Sequence, residues 1–152
     1  MALEGLNRLQ VYIAAQSLAQ RVYSSVVPLL PSEEKWGLSS QIRRAVASVP
    51  ANIAEGYGRY YYQETIRFCY IARGSLMELS SHFDLAREQG FISEELYHQL
   101  DNEMNTLLKL IHGFIKYLKQ TKRGMNEPGS HSISEAPGDY FVVDDDHVEV
   151  SD

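Results

Sequence analysis

Gly37-Leu38-Ser39-Ser40-Gln41-Ile42-Arg43-Arg44-Ala45-Val46-Ala47-Ser48-Val49-Pro50-Ala51-Asn52-Ile53-Ala54-Glu55-Gly56-Tyr57-Gly58-Arg59 sets the frame for the whole chain. Ile42, Ala45, Val46, Val49 and Ile53 recur at spacings of three and four, the period of a helix with one face in a core. Ser39 has the side chain of a helix N-cap. Pro50 falls inside the apolar pattern. It lacks an N–H and clashes with the carbonyl four residues back, so a kink or a restart is predicted there. Asn52 and Glu55 flank it and are expected to satisfy the carbonyls it orphans. Gly56 and Gly58 then permit the positive φ angles that end a helix.

Three more helices extend outward from this one. The first spans about Leu6 to Val27, with Val11, Ala15, Leu18, Val22 and Val26 on one face and Pro28 and Pro31 ending it. Trp36, in the polar connection after it, is expected to fold back on the bundle as an anchor. The third helix, about Tyr62 to Gln89, carries the clearest seam: Cys69, Ala72, Leu76, Leu79, Phe83 and Ala86. Gly74-Ser75 interrupts it with small residues, and a glycine there costs about 1 kcal/mol of helix propensity, so close approach of another backbone is predicted. Gly90 ends this helix and Ser93 caps the next, with Ile92 and Tyr97 placed as a hydrophobic staple. The fourth helix runs from Glu94 to about Lys122 on a stripe of Leu96, Leu100, Met104, Leu107, Ile111, Phe114 and Leu118. Short connections between long helices imply antiparallel neighbours. The fold expected is all-α, an antiparallel up-down-up-down four-helix bundle over residues 1–124, kinked at Pro50.

Residues 125–152 differ in composition: Gly, Pro, Ser and acids, the mark of a disordered acidic C-terminal tail. The formal net charge of −6 divides unevenly. Residues 1–124 hold all 14 Lys and Arg against 12 Asp and Glu, hence +2; the tail holds 8 acids and no base, hence −8. Body and tail are therefore judged separately as binders of polyanions. Within the tail, Tyr140 and Phe141 precede Asp144, Asp145 and Asp146, a short apolar patch beside acids that is suited to dock on a surface.

The pattern G-L-S-S-Q-I-R-R-A…S-V-P-A-N-I-A-E-G-Y-G-R, followed by Y-I-A-R-G-S-L-M-E-L and A-R-E-Q-G-F-I, resembles the "four helix bundle protein" family, whose members are encoded in intervening sequences of large-subunit ribosomal RNA genes and in other bacterial loci. The resemblance covers about residues 3–123. It implies a four-helix protomer that assembles into a homopentamer. More remotely the chain is similar to the accessory variability determinant of diversity-generating retroelements, a basic pentamer, which implies RNA, DNA or a nucleoprotein such as a reverse transcriptase as partner.

On a helical projection Arg44 and Arg67 point away from the apolar faces and Arg43 lies at a flank, while Lys109, His112, Lys116, Lys119 and Arg123 share an arc opposite the core. With Arg59 after the Gly-x-Gly turn, these residues could contact phosphates; the alternative is a solvated face, its last cations complementing the helix C-terminus. Tyr60, Tyr61 and Tyr62 could stack bases, but tyrosines at a helix start are read first as interface residues. Ile66, Tyr70 and Met77 form a second apolar strip beside the third-helix seam. One bundle core cannot use so wide an arc, so a homo-oligomer is expected.

Glu95-x-x-His98 has the spacing of di-iron bundles, and Glu78 and His82 stand four apart, but the second pair and the inward glutamates are missing. No metal or cofactor is expected. No nucleophile elbow or phosphate loop occurs, and Gly56-Tyr57-Gly58 follows no strand, so an enzyme is not expected. Cys69, the single cysteine, reads as an inert core thiol, and a cytoplasmic location without membrane association fits it. The function expected is a non-enzymatic oligomeric adaptor that binds nucleic acid through a basic face masked by the acidic tail. The competing reading is a protein–protein scaffold with no nucleic-acid role, the tail recruiting a partner.

Overall fold

The computed structural model describes residues 2–121. The expected first helix is two: α1 (Ala2–Arg8) and α2 (Gln10–Ser25), separated by Leu9, whose ψ of 115° is extended. The Leu9 N–H still bonds the Leu6 carbonyl at 3.0 Å, and the Tyr12 and Ile13 N–H groups return to the Leu9 carbonyl, so a new helix starts there. Gly5 of α1 is where the Tyr57 hydroxyl packs, on space that a side chain would fill. After α2, 3₁₀ turns at Val27–Leu29 and Ser32–Lys35 lead to α3 (Leu38–Tyr57), α4 (Tyr62–Glu88) and α5 (Glu94–Thr121).

α3 starts two residues earlier than a cap at Ser39 implies, with Gly37 in the cap position. Glu34 reaches from the preceding turn to accept a hydrogen bond from the Leu38 N–H at 2.8 Å, and Ser39 lies buried inside the helix. The helix then runs through Pro50 without a restart. Asn52 donates to the Ser48 carbonyl at 2.8 Å, not to the Val46 carbonyl that Pro50 leaves without its helical donor, and Glu55 turns outward to Arg59 at 2.8 Å, so neither plays the part expected of it. Gly58 has φ −72°, so neither glycine of the Gly-x-Gly pair ends the helix through a left-handed turn. Gly56 serves packing instead. A Cβ there would lie 2.7 Å from the Phe68 Cβ and 3.1 Å from the Thr65 carbonyl oxygen, a close passage of α3 against α4.

The other caps follow their chemistry. Gly90 takes φ 72°; its N–H bonds the Arg87 carbonyl and the Phe91 N–H bonds the Ala86 carbonyl, both at 2.9 Å, a Schellman end. Ser93 accepts from the Leu96 N–H at 3.1 Å and opens α5. The α4–α5 turn is held further by Tyr97, whose hydroxyl donates to Asp84 at 2.6 Å while the Arg87 guanidinium sits 4.1 Å over its ring. The Asp84 hydrogen bond, then burial, pushes the Tyr97 phenol above its usual value.

α2 packs on α3 and α5, and α4 packs on the same two, so α3 and α5 occupy diagonal corners of the bundle. The order is antiparallel throughout: Ser48 meets Ser75 at 2.8 Å, Arg73 lies by His112, and Arg21 of α2 pairs with Glu103 of α5. Val11, Ala15, Leu18, Val22 and Val26 are buried as the spacing predicts, as are Ile42, Ala45, Val46, Val49, Ile53 and the whole α4 seam. On α5 the stripe drifts. Ile115 is buried, and Phe114 and Leu118 are only half-buried. A helix of 3.6 residues per turn slips about 20° per heptad against a seven-residue repeat, and over eight turns that moves the stripe one residue along.

Two placements differ from expectation. Gly74 has nothing within 4 Å of its would-be Cβ; the close contact is made by its neighbour Ser75. Trp36 is 82% exposed, with the Lys35 ammonium 5.1 Å from its ring centre, so it does not anchor the connection to the bundle.

Candidate functional site

Because α3 and α5 are diagonal, the basic residues read from the sequence do not make one surface. Arg44 is exposed on α3 and held to Gln41 at 2.7 Å; Arg43 is half-buried, donating to the Lys35 carbonyl at 3.1 Å. Across the bundle, Lys109, His112 and Lys116 are exposed on α5, with Lys119 half-buried one turn further on. Arg67 is exposed on α4. Arg59 is engaged by Glu55 at 2.8 Å and Glu64 at 3.9 Å, and its guanidinium lies 5.0 Å over the Phe68 ring. Arg123 lies outside the described residues, with Tyr140, Phe141, Asp144, Asp145 and Asp146.

The structure adds Arg73 to the α5 group. Its Nη1 stands 3.5 Å from the His112 Nε2, and its guanidinium caps the Tyr70 ring at 4.9 Å. Its i, i+3 relation to Tyr70 is visible in the sequence, but which neighbouring helix it faces is not. Burial, with Arg73 adding, lowers the His112 pKa below its ordinary value. His112 is therefore neutral at pH 7, and the fixed positive charge here comes from Arg73, Lys109 and Lys116. From Met104 to Asn126 the chain carries five bases and no acid. A cation row of this kind can meet successive phosphates.

The supposed oligomer strip is narrower than the spacing implies. Ile66 is 3% exposed and belongs to the protomer core, which takes it off the outer surface. Tyr70 is half-buried under Arg73, and Met77, with Ile71, remains exposed. Of the three tyrosines, Tyr60 is exposed and meets Tyr61 edge-on at 5.0 Å, whereas Tyr62 is partly buried against the core and accepts from Gln63 at 2.8 Å.

Glu95 and His98 do not pair: His98 stands 3.8 Å from Glu94, and Gln99 bonds Glu95. His82 lies 3.4 Å from Glu78. Among the described residues no three His, Cys, Asp or Glu side chains gather as metal ligands. Burial pushes the Cys69 thiol up to about 12, which makes it unreactive at neutral pH. No described helix is long and apolar enough to cross a membrane.

A family model for the 23S rRNA-intervening sequence protein matches residues 7–113. A crystal structure of a protein with unknown function from the S23 ribosomal protein family of Bacteroides thetaiotaomicron superposes with a TM-score of 0.64 at 26% identity, over 70% of this chain and 98% of that one. No curated protein matches.

Proposed function

This chain belongs to the 23S rRNA-intervening sequence protein family, and on that premise we propose that it is a non-enzymatic, homopentameric adaptor that contacts RNA, DNA or a nucleoprotein through the basic half of α5, a face masked by residues 125–152. The observation that carries this reading is the acid-free row from Met104 to Asn126, with Arg73 beside it. An excess of one sign on one face attracts the opposite polyelectrolyte, and eight tethered acids compete with phosphate for it. Exposed Met77 and Ile71 on α4 offer apolar area for assembly. Light scattering is expected to give a mass near five times 17.3 kDa, and a monomer at micromolar concentration would remove assembly from the proposal.

Fluorescence anisotropy of labelled single- and double-stranded RNA and DNA tests the contact. Deleting residues 125–152 is expected to strengthen binding about tenfold at low salt, where screening is weak. In that truncated chain, Arg73→Gln, Lys109→Gln and Lys116→Gln together should abolish the gain and flatten the log–log salt dependence by roughly 0.7–0.9 per cation lost. Arg43→Gln with Arg44→Gln, on the diagonal corner, should do neither. If truncation brings no gain at low salt, masking is wrong.

Exposed Trp36 favours a second reading, a protein–protein scaffold, since tryptophan is enriched at contact surfaces. That reading prevails if neither chain binds any oligonucleotide.

A further inference from the structure

Where α3 ends, α4 begins and α5 ends, an open cleft of about 560 Å³ has Tyr57, Tyr60, Tyr62, Phe114 and Tyr117 in its walls, together with Arg59. The Phe114 and Tyr117 rings lie nearly parallel, 14° apart at 6.4 Å, and Tyr117 is 58% exposed. So much accessible aromatic surface around one hollow is a seat for a flat apolar group. Thr121, the last described residue, is itself in the wall. Residues 122–152 follow it directly in the sequence.

We propose that Tyr140 and Phe141 of the same chain occupy this cleft, with Asp144, Asp145 and Asp146 set against the cations of α5. The seat deepens the masking proposed above and rests on that reading for its consequence, but it has its own physical support. Nineteen steps of chain separate Thr121 from Tyr140, an extended reach of roughly 60 Å, while the 28 residues of α5 are about 42 Å long, so the return is within reach. A segment so tethered meets the cleft at an effective concentration that reaches millimolar for a short link. Charge directs it. The α5 turns from Lys109 onward and the residues just after them hold five bases, and the segment beyond residue 124 holds eight acids and no base. Exposed ion pairs alone are too weak to hold a chain in place, so the two rings supply the anchor and the acids the orientation.

Disulfide trapping in the full-length chain reads this contact without any nucleic acid. Gly58 is in the cleft wall, has a helical φ, and a Cβ there meets nothing closer than 3.4 Å, so Gly58→Cys is tolerated. Buried Cys69 does not interfere. Combined with Asp144→Cys, it is expected to form an intrachain bond on mild oxidation. Adding Tyr140→Ser and Phe141→Ser, which leaves tether and charge unchanged, is expected to slow trapping at least tenfold. Equal rates with and without the two rings mean tethered collision only and overturn the proposal. Bonds formed between chains place a second copy's segment in the cleft and also overturn it. An oligonucleotide that protects the thiol at position 58 while ring removal changes nothing makes the cleft a base-stacking site instead. Trapping without oligonucleotide affinity leaves the seat standing and removes the nucleic-acid reading; affinity without trapping does the reverse.

Discussion

Replacing Phe83 with alanine is expected to destabilise the fold by about 3–5 kcal/mol, the range for truncating a fully buried aromatic side chain. Phe83 is 0% exposed and lies in the α4 seam between Leu79 and Ala86, both also fully buried. The loss combines the transfer of the ring out of the core with a cavity that rigid helices close only in part. The midpoint of thermal unfolding should fall by roughly 10–15 °C for a chain of this size. Circular dichroism at fixed protein concentration measures it, because any assembly makes the midpoint concentration-dependent. A loss below about 1 kcal/mol would mean that Phe83 does not belong to the core.

Gly56→Val is expected to cost about 3 kcal/mol, at the upper end for inserting atoms into a packed contact. The first added carbon already lies 2.7 Å from the Phe68 Cβ and 3.1 Å from a backbone oxygen of α4. Neither is the free end of a side chain, so α3 and α4 must separate. Gly56→Ala should be milder, since about 1 kcal/mol of helix propensity offsets part of the clash. Gly58→Ala should change little, because its nearest neighbour is at 3.4 Å. Urea midpoints that do not rank the three variants in this order would show that the helices are not in contact at Gly56. Separation here would also spread the cleft wall built by Tyr57 and Gly58.

The candidate site was legible only in part. Each cation was visible in the sequence, and helical projection correctly put Arg44, Lys109 and Lys116 on outer arcs. Projection treats every helix alone, so it could not show that Arg44 and Lys109 belong to helices at diagonal corners of the bundle. It also missed Arg73, which joins the α5 group through a neighbouring helix. The aromatic cleft was missed for the same reason: Tyr57, Tyr62 and Tyr117 come from three helices whose ends meet only in the folded chain. Ile66 read as surplus surface because a seam counted every seven residues leaves no place for it, whereas the α4 core face is wide enough to bury it.

What the sequence by itself determined is the set of elements and their facing. Apolar residues at three- and four-residue spacing must leave water together, and Ser93 and Gly90 carry their capping geometry in their own chemistry. Those are local properties, written into neighbouring residues. The tertiary structure alone decided which outer faces adjoin, why Gly56 must be a glycine while Gly74 need not be, and that Trp36 stays in solvent. Those depend on distances between residues far apart in the chain, which the packing of whole helices sets and no spacing within one helix encodes.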